Sequence, residues 1–374
     1  MAKYRFDQVA RECRTTFKGD KNGMPIVGLE HLVPNEMLVR DFEVDTENTF
    51  TKSFKQGQIL FGRRRAYQQK AGVAQFDGIC SGDITVIEAI PGKIEPNLLP
   101  FIVQNEQFFE HAVQGSAGSL SPRVKWEHLA SYEIELPTME KQRVLADKLW
   151  TAYRLKESYK KLLAATDEMV KSQFIEMFGS VDDNPKSYDI KKVGDFAECF
   201  AGATPSTKIS SYWDNGNIPW MSSGEVHKAR VQDTDAKITQ QGYDGCSTKM
   251  VPIHSIVIAL AGKGKTRGTV AINDIELCTN QSLCAIVPNE EVNYEYLFHN
   301  LRGRYKELRS MSGDVDGRGG LNLKHIQSIK VIVPPMSEQM KFVSIARQAD
   351  KSKFELRKST EAIDRVIKSL INNV

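Results

Sequence analysis

An internal repeat constrains this chain more than any other feature of its sequence. Around Pro137 the chain reads Glu135-Leu136-Pro137-Thr138-Met139-Glu140-Lys141-Gln142, and around Pro334 it reads Ile332-Val333-Pro334-Pro335-Met336-Ser337-Glu338-Gln339, so similar segments recur 197 positions apart. The same offset lays His128-Leu129 on His325-Ile326, Ile134 on Val331, and Ile59-Leu60-Phe61 on Ile256-Val257-Ile258. Matches this far apart make one copy about half the protein. Two similar globular units must therefore alternate with two similar tails.

The tails read as long helices. No Pro or Gly interrupts Met139 to Phe178 or Met336 to Val374, so each helix can extend for up to about 55 Å. In the second, Ile345, Ala349, Ser352, Leu356, Ser359, Ile363, Val366 and Leu370 alternate spacings of four and three. Subtracting the offset gives Lys148, Ala152, Leu155, Tyr159, Leu162, Thr166, Met169 and Gln173. A narrow heptad stripe calls for a partner helix, and the other copy is the nearest. The alternative is that each helix packs only on its own globular unit. Outside this stripe, Leu163, Val170, Phe174 and Met177 on the first helix and Phe342, Ile367 and Ile371 on the second are further apolar positions. They either broaden the intrachain contact or bury against helices of another protein.

Boundaries follow from the breakers. Phe178-Gly179-Ser180 ends a helix, and Asp182-Asp183-Asn184-Pro185 is a polar linker. The expected organisation is a globular unit over residues 1–137, a helix over 138–180, a second globular unit over 186–334 and a second helix over 335–374. The fold class is α+β: two similar mixed α/β units separated by two long antiparallel helices that form an intrachain coiled coil with pseudo-twofold symmetry. Strands are expected at Gln58 to Phe61, Ile84 to Ile90, Ser255 to Leu260 and Leu283 to Val287, and a helix at Asn293 to Leu308.

Composition sets limits on function. With 374 residues, 41% hydrophobic and 26% charged, the chain is neither disordered nor a membrane protein. No apolar run approaches the roughly 20 residues that span a bilayer, and the start MAKYRFDQVARECR is not a signal peptide, so a cytoplasmic location is expected. The six cysteines form no C-x-x-C pair and have no histidine at zinc-ligand spacing, which favours reduced core thiols. A net charge of +3 means that any nucleic-acid surface must be local.

One motif invites a catalytic reading. Ala259-Leu260-Ala261-Gly262-Lys263-Gly264-Lys265-Thr266 fits a relaxed phosphate-loop pattern after a good strand. A true phosphate loop opens a helix, whereas Arg267-Gly268-Thr269-Val270-Ala271-Ile272 reads as a hairpin return. The equivalent loop in the first copy, Gly62-Arg63-Arg64-Arg65-Ala66-Tyr67-Gln68-Gln69-Lys70, has no G-K-T. What the two loops share is positive charge between two strands, which suits DNA phosphates and base edges. There is no G-x-S-x-G, no H-E-x-x-H and no adenine-methyltransferase signature, since Val333-Pro334-Pro335-Met336 lacks an amide or carboxylate side chain.

The doubled order of globular unit, junction and long helix resembles the specificity subunits of type I restriction-modification enzymes, over essentially the whole chain. Three local segments carry the resemblance. Asn217-Ile218-Pro219-Trp220-Met221-Ser222-Ser223-Gly224-Glu225-Val226 is similar to an early segment of that family's target recognition domains. Gly262 to Thr266 with Thr279-Asn280-Gln281 is similar to its Gly-rich hairpin and T-N-Q stretch, and the segments beginning at Leu136 and Val333 to its P-P-L-x-E-Q junction. The first half departs from the pattern, with Arg63-Arg64-Arg65 for G-K-G-K and Ser81-Gly82-Asp83 for T-N-Q.

The resemblance implies a non-catalytic DNA-recognition chain with two heads on a helical ruler. Each head would bind one half of a split double-stranded DNA target. Methylation subunits, two of them, would dock on the helices, with Leu163, Val170, Phe174, Met177, Phe342, Ile367 and Ile371 as the candidate contacts, and restriction subunits would join through the methylation subunits. S-adenosylmethionine, ATP and Mg would belong to those partners, and no cofactor to this chain. Candidate DNA contacts in the first head are Arg63, Arg64, Arg65, Tyr67, Gln68 and Lys70, with Ser121 and Arg123 before the last strand. In the second head they are Ser222, Ser223, Lys263, Lys265, Thr266, Arg267, Asn280, Gln281 and Arg318. Two rival readings make different predictions: a nucleotide-driven enzyme built on Gly264-Lys265-Thr266 would bind nucleotide alone, and a protein-binding scaffold would not retain duplex DNA by sequence.

Overall fold

A computed structural model describes residues 2–118, 120–262, 264–311 and 319–372. The chain divides into two compact units, Met1–Lys161 with Leu356–Val374, and Leu162–Glu355. Each long helix contributes to both.

In the first unit, a five-stranded sheet has the spatial order Ala10–Glu12, Ile84–Ala89, Ile59–Gly62, Ala71–Ala74, Leu38–Val39. The central run Ile59-Leu60-Phe61-Gly62 is buried throughout. Because successive strand side chains alternate in direction, Ile59 and Phe61 enter one core cluster with Phe108, Phe109 and Ile87, while Leu60 enters another with Val86, Ile84 and Phe54. A strand covered on both faces needs a continuous apolar run rather than an alternating one.

The second unit repeats the design. Its sheet has the order Ala197–Ala201, Leu283–Pro288, Ile256–Ala259, Val270–Asn273, Arg230–Val231. Ile256 and Ile258 face one cluster, and Val257 and Ala259 face another. The units differ in their small three-stranded sheets. Gly78–Cys80 lies in the middle in the first, but Ile218–Met221 lies in the middle in the second, paired with Ala236–Ile238 and Cys278–Thr279.

Each globular part is closed by its own ends. Ala2–Arg5 pairs antiparallel with Glu133–Leu136, and Asp189–Lys192 with Lys330–Val333. Long helices then begin at Met139 and Met336, running to Phe178 and Asn372. The shared junction glutamine explains the repeated motif. Gln142 is buried, its Oε1 accepting from the Glu95 amide at 3.0 Å and its Nε2 donating to the Pro137 carbonyl at 2.9 Å. Gln339 is likewise buried, accepting from the Asn293 amide at 2.8 Å and donating to the Pro334 and Glu291 carbonyls. One amide side chain thus satisfies a buried corner in both copies. The first helix ends at Gly179, whose φ of +74° suits the left-handed residue that terminates a helix.

The helices run antiparallel within each unit. In the first unit, Ala146, Leu149 and Tyr153 lie in the core, against which Ile367, Leu370 and Ile371 pack, and Lys156 pairs with Asp364 at 2.5 Å. In the second, Val170 and Phe178 share a core with Phe342, Val343, Ala346 and Ala349, and Lys353 reaches Asp167 at 2.9 Å.

This pairing corrects the predicted stripe in part. Ala349 and Leu370 pack inward as expected, but Leu155, Leu162, Met169 and Val366 are exposed, and the inward face of the second helix also runs through Phe342, Ala346 and Lys353. Two neighbouring stripes both satisfy the four-three spacing. The globular core selects the one rich in aromatics and small residues, because these fit against its surface, and it tolerates buried Lys353 because Asp167 and Asp350 pair with it. The candidate docking residues are corrected with it. Val170 and Phe342 are core residues of the second unit, with Phe174 and Met177 packed against them. Ile367 and Ile371 pack on the core of the first unit, and Leu163 is half-buried. A smaller correction concerns Asn293 to Leu308. Asn293 caps a helix over Tyr294–Gly303, and a second helix, Tyr305–Ser310, follows after a break.

Among the described residues no helix is long and apolar enough to cross a membrane. All six cysteines are free thiols. Cys80, Cys278 and Cys284 are buried, while Cys13, Cys199 and Cys246 are half-buried.

Candidate nucleic-acid interface

In both heads three segments meet at one backbone junction. In the first, the Arg63 amide donates to the Asp83 carbonyl at 2.9 Å, and the Val124 amide donates to the Arg63 carbonyl at 2.9 Å. In the second, the Leu260 amide donates to the Ser282 carbonyl at 2.8 Å, and the Leu321 amide to the Leu260 carbonyl at 2.8 Å. The loop leaving the central strand, the turn before the next strand and the segment ahead of the closing strand are therefore bound together at equivalent places. Loops on a rigid sheet are where binding residues are usually carried.

The first head gathers arginines at this junction. Arg123 donates through Nε to Asp83 Oδ1 at 2.6 Å, Arg64 reaches Asp83 Oδ2 at 3.4 Å, and Arg64 also donates to Ser121 Oγ at 3.0 Å. The Arg65 amide donates to the Pro122 carbonyl at 2.8 Å. The hydrogen bond from Arg123 holds the Asp83 carboxyl below its ordinary range, with Arg64 adding to the effect. Arg65 and Gln69 both adopt left-handed backbone, φ 56° and 52°, on either side of a short turn over Ala66–Gln68. Such conformations persist in ordinary residues only where the surroundings impose them. Tyr67 and Arg65 are exposed and Gln68 half-buried. Lys70 is turned toward the fold, donating to the Leu29 carbonyl at 2.7 Å. Beside the junction opens a cleft of about 750 Å³, with Arg14, Lys52, Arg63, Asp83, Lys125 and Trp126 among its walls.

Asp83 belongs to this junction although the sequence did not single it out. Its signal was the departure from T-N-Q at Ser81-Gly82-Asp83, since an acid among arginines organises them rather than binding phosphate.

In the second head the Gly-Lys-Thr loop is a hairpin. Val270–Asn273 returns antiparallel to Ile256–Ala259, and the Gly268 amide donates to the Ala259 carbonyl at 2.9 Å. The strand-to-helix turn that a phosphate loop requires is replaced by a strand-to-strand return. Lys265 is exposed, and Thr266 Oγ1 lies 3.3 Å from His227 Nε2. His227 is carried on the 3-10 turn Ser223–Lys228, which begins after Ser222. The Asn280 amide donates to the Met221 carbonyl at 3.1 Å, setting Asn280 next to Ser222, and Gln281 accepts a hydrogen bond from Thr204.

Arg267 is corrected. It is only 4% exposed, and its guanidinium donates to the Gly319 carbonyl, so it fastens the loop instead of facing solvent. Lys263 and Arg318 lie outside the described residues.

Comparison with known proteins agrees with this duplicated plan. Residues 9–165 and 185–364 each match the family model described as the type I restriction modification DNA specificity domain. The chain is 27% identical over 163 residues to the specificity subunit of the type I restriction enzyme EcoR124I/EcoR124II from Escherichia coli, covering 43% of this chain and 40% of that one. It is 27% identical over 195 residues to the MjaIX specificity subunit of Methanocaldococcus jannaschii, covering 50% and 44%. These matches thus span less than half the length of either relative. The type I restriction-modification S subunit from M. genitalium has the same fold, with a TM-score of 0.61 at 14% identity over 99% of this chain and 94% of that one. With the family model matched twice across most of its length, this chain belongs to the type I restriction-modification DNA specificity family.

Proposed function

We propose that this chain is the non-catalytic specificity subunit of a type I restriction-modification enzyme, and that each head binds one half of a bipartite double-stranded DNA target. The observation that carries the reading is the repeated three-segment junction, which presents charged and amide side chains at equivalent places on two similar sheets. The side chains themselves differ. The first head offers Arg64, Arg65 and Arg123, and the second offers Lys265, Asn280 and Gln281. Guanidinium groups suit phosphates and guanine, whereas amides suit adenine, so the two half-sites should differ in sequence.

The helices serve as spacer and docking rail. Since Val170, Phe174 and Phe342 are occupied internally, methylation subunits dock instead on exposed apolar positions. Leu155, Leu162 and Met169 recur every seven residues along the first helix, and Phe354 and Val366 are exposed on the second. Two such subunits would join the chain, and restriction subunits through them. S-adenosylmethionine, ATP and Mg act in those partners, while this chain supplies the address.

The test is to sequence methylated adenines in DNA modified by this chain together with its methylation partner. A split motif with a fixed gap is expected. A contiguous motif, or methylation whose sequence does not depend on this chain, would overturn the reading.

A further inference from the structure

Leu120 is the most exposed large hydrophobic side chain among the described residues, at 90%. It lies between the strands Ser116–Ala117 and Arg123–Val124, whose register pairs Ala117 with Arg123. A lone exposed leucine needs no explanation in itself. Three features set this one apart.

First, the segment that follows it is anchored. The Pro122 carbonyl accepts from the Arg65 amide at 2.8 Å, Ser121 Oγ accepts from Arg64 at 3.0 Å, and Val124 is tied to Arg63. The leucine is therefore presented on a fixed base. Second, the groups around that base are guanidinium groups, two of them oriented by one carboxylate, with Arg64 and Arg123 both on Asp83. Third, the loop departs from its strand through Gly118 at φ +118°, a conformation that L side chains rarely adopt, and Arg65 opposite is held left-handed. Tyr67, 57% exposed, is a second apolar body two residues after Arg65. Water is a poor environment for such side chains, and the cations beside them point to a polyanion that also has apolar faces. Duplex DNA has that combination, with phosphates outside and base faces between.

We propose that Leu120 is an apolar wedge that enters a base step of the half-site bound by the first head, with Arg64, Arg65 and Arg123 beside it. The proposal rests on the DNA-reading function above and deepens it. Side chains that enter between base pairs partly unstack them and kink the duplex. Pyrimidine–purine steps yield most easily, so the step beneath Leu120 should be of that kind. Specificity would then arise at a position where no hydrogen bond reads a base.

The test uses the full chain assembled with its methylation partner, and a duplex carrying the target identified by methylation mapping. 2-Aminopurine is placed in turn at each position of the half-site assigned to the first head, and its fluorescence reports unstacking. The expected result is a rise at one pyrimidine–purine step, abolished by Leu120→Ala and retained by Leu120→Met. Leu120→Ala should weaken specific binding about tenfold, the scale of one leucine's buried area, without changing the salt slope set by phosphate contacts. Specific retention with no responsive position, or an unchanged response in Leu120→Ala, overturns the wedge and leaves the DNA-reading function standing. Failure of the wild-type assembly to retain its target specifically overturns both.

Discussion

Asp83 and Gln281 occupy corresponding turns of the two heads and set their chemistry in different ways. Asp83 gathers Arg123 and Arg64, whereas Gln281 is engaged by Thr204. An acid within the proposed DNA-binding surface opposes general attraction to phosphate but fixes where two guanidinium groups point, and fixed geometry is what base readout needs. Asp83→Ala should therefore separate the two effects. Specific retention of the target is expected to fall about tenfold, as when one oriented contact is lost, while binding to unrelated duplex at low salt rises because the net charge becomes more positive. A parallel fall in both would show that Asp83 merely supports folding. His299 tests the interior of the second unit. Burial pushes its imidazole down to about 4, so the folded state holds the neutral ring while the unfolded chain takes up a proton near pH 6.5. The folded state is unpenalised above pH 6.5 and loses stability as pH falls from there toward 4. His299→Leu should remove about 1–2 kcal/mol of that acid sensitivity, discounted for a ring that is only half-buried. Thermal melts of both proteins at pH 7.5 and pH 5 would read it as a smaller gap in Tm for the variant.

At the scale of elements, the long helices are the plainest message of the sequence. Forty and thirty-seven residues without a breaker leave little but a helix as the solution. Their phase was not legible, because four-three spacing fits two adjacent stripes, and the choice depends on what the globular cores press against them. The two joints between helix and core also differ. Glu295, buried, links Arg230 and Arg347 in the second unit, whereas the position equivalent to Arg347 in the first is Trp150, stacked edge-on against Phe101 at 5.2 Å. At this position the joint is packed either by an ion network or by an aromatic, so residue identity is shared at the junction glutamines Gln142 and Gln339 but not here. A paired insertion tests the helices as a ruler. Lys156 pairs with Asp364 and Asp167 with Lys353, so seven residues added after Leu162 and seven after Lys358 keep the antiparallel register. The strut lengthens by about 10 Å, roughly three base-pair steps. Methylation mapping should then show a longer gap between unchanged half-sites, and altered half-sites would refute a spacer role.

Across the whole molecule, the sequence alone determined the duplication, the presence and extent of the two helices, the central sheet strands and the position of the charged loops. These are written in local periodicity, in breakers and in one recurring offset, and they hold whatever the chain packs against. Only the tertiary structure decided which helix face turns inward, that Arg267 is a buried fastener, that Asp83 rather than another arginine completes the first head's surface, and that Leu120 is left in solvent. Burial and hydrogen-bond partnership are set by residues distant in the chain. A guanidinium or a leucine is spelled the same in a sequence whether it faces water, a carbonyl or a core.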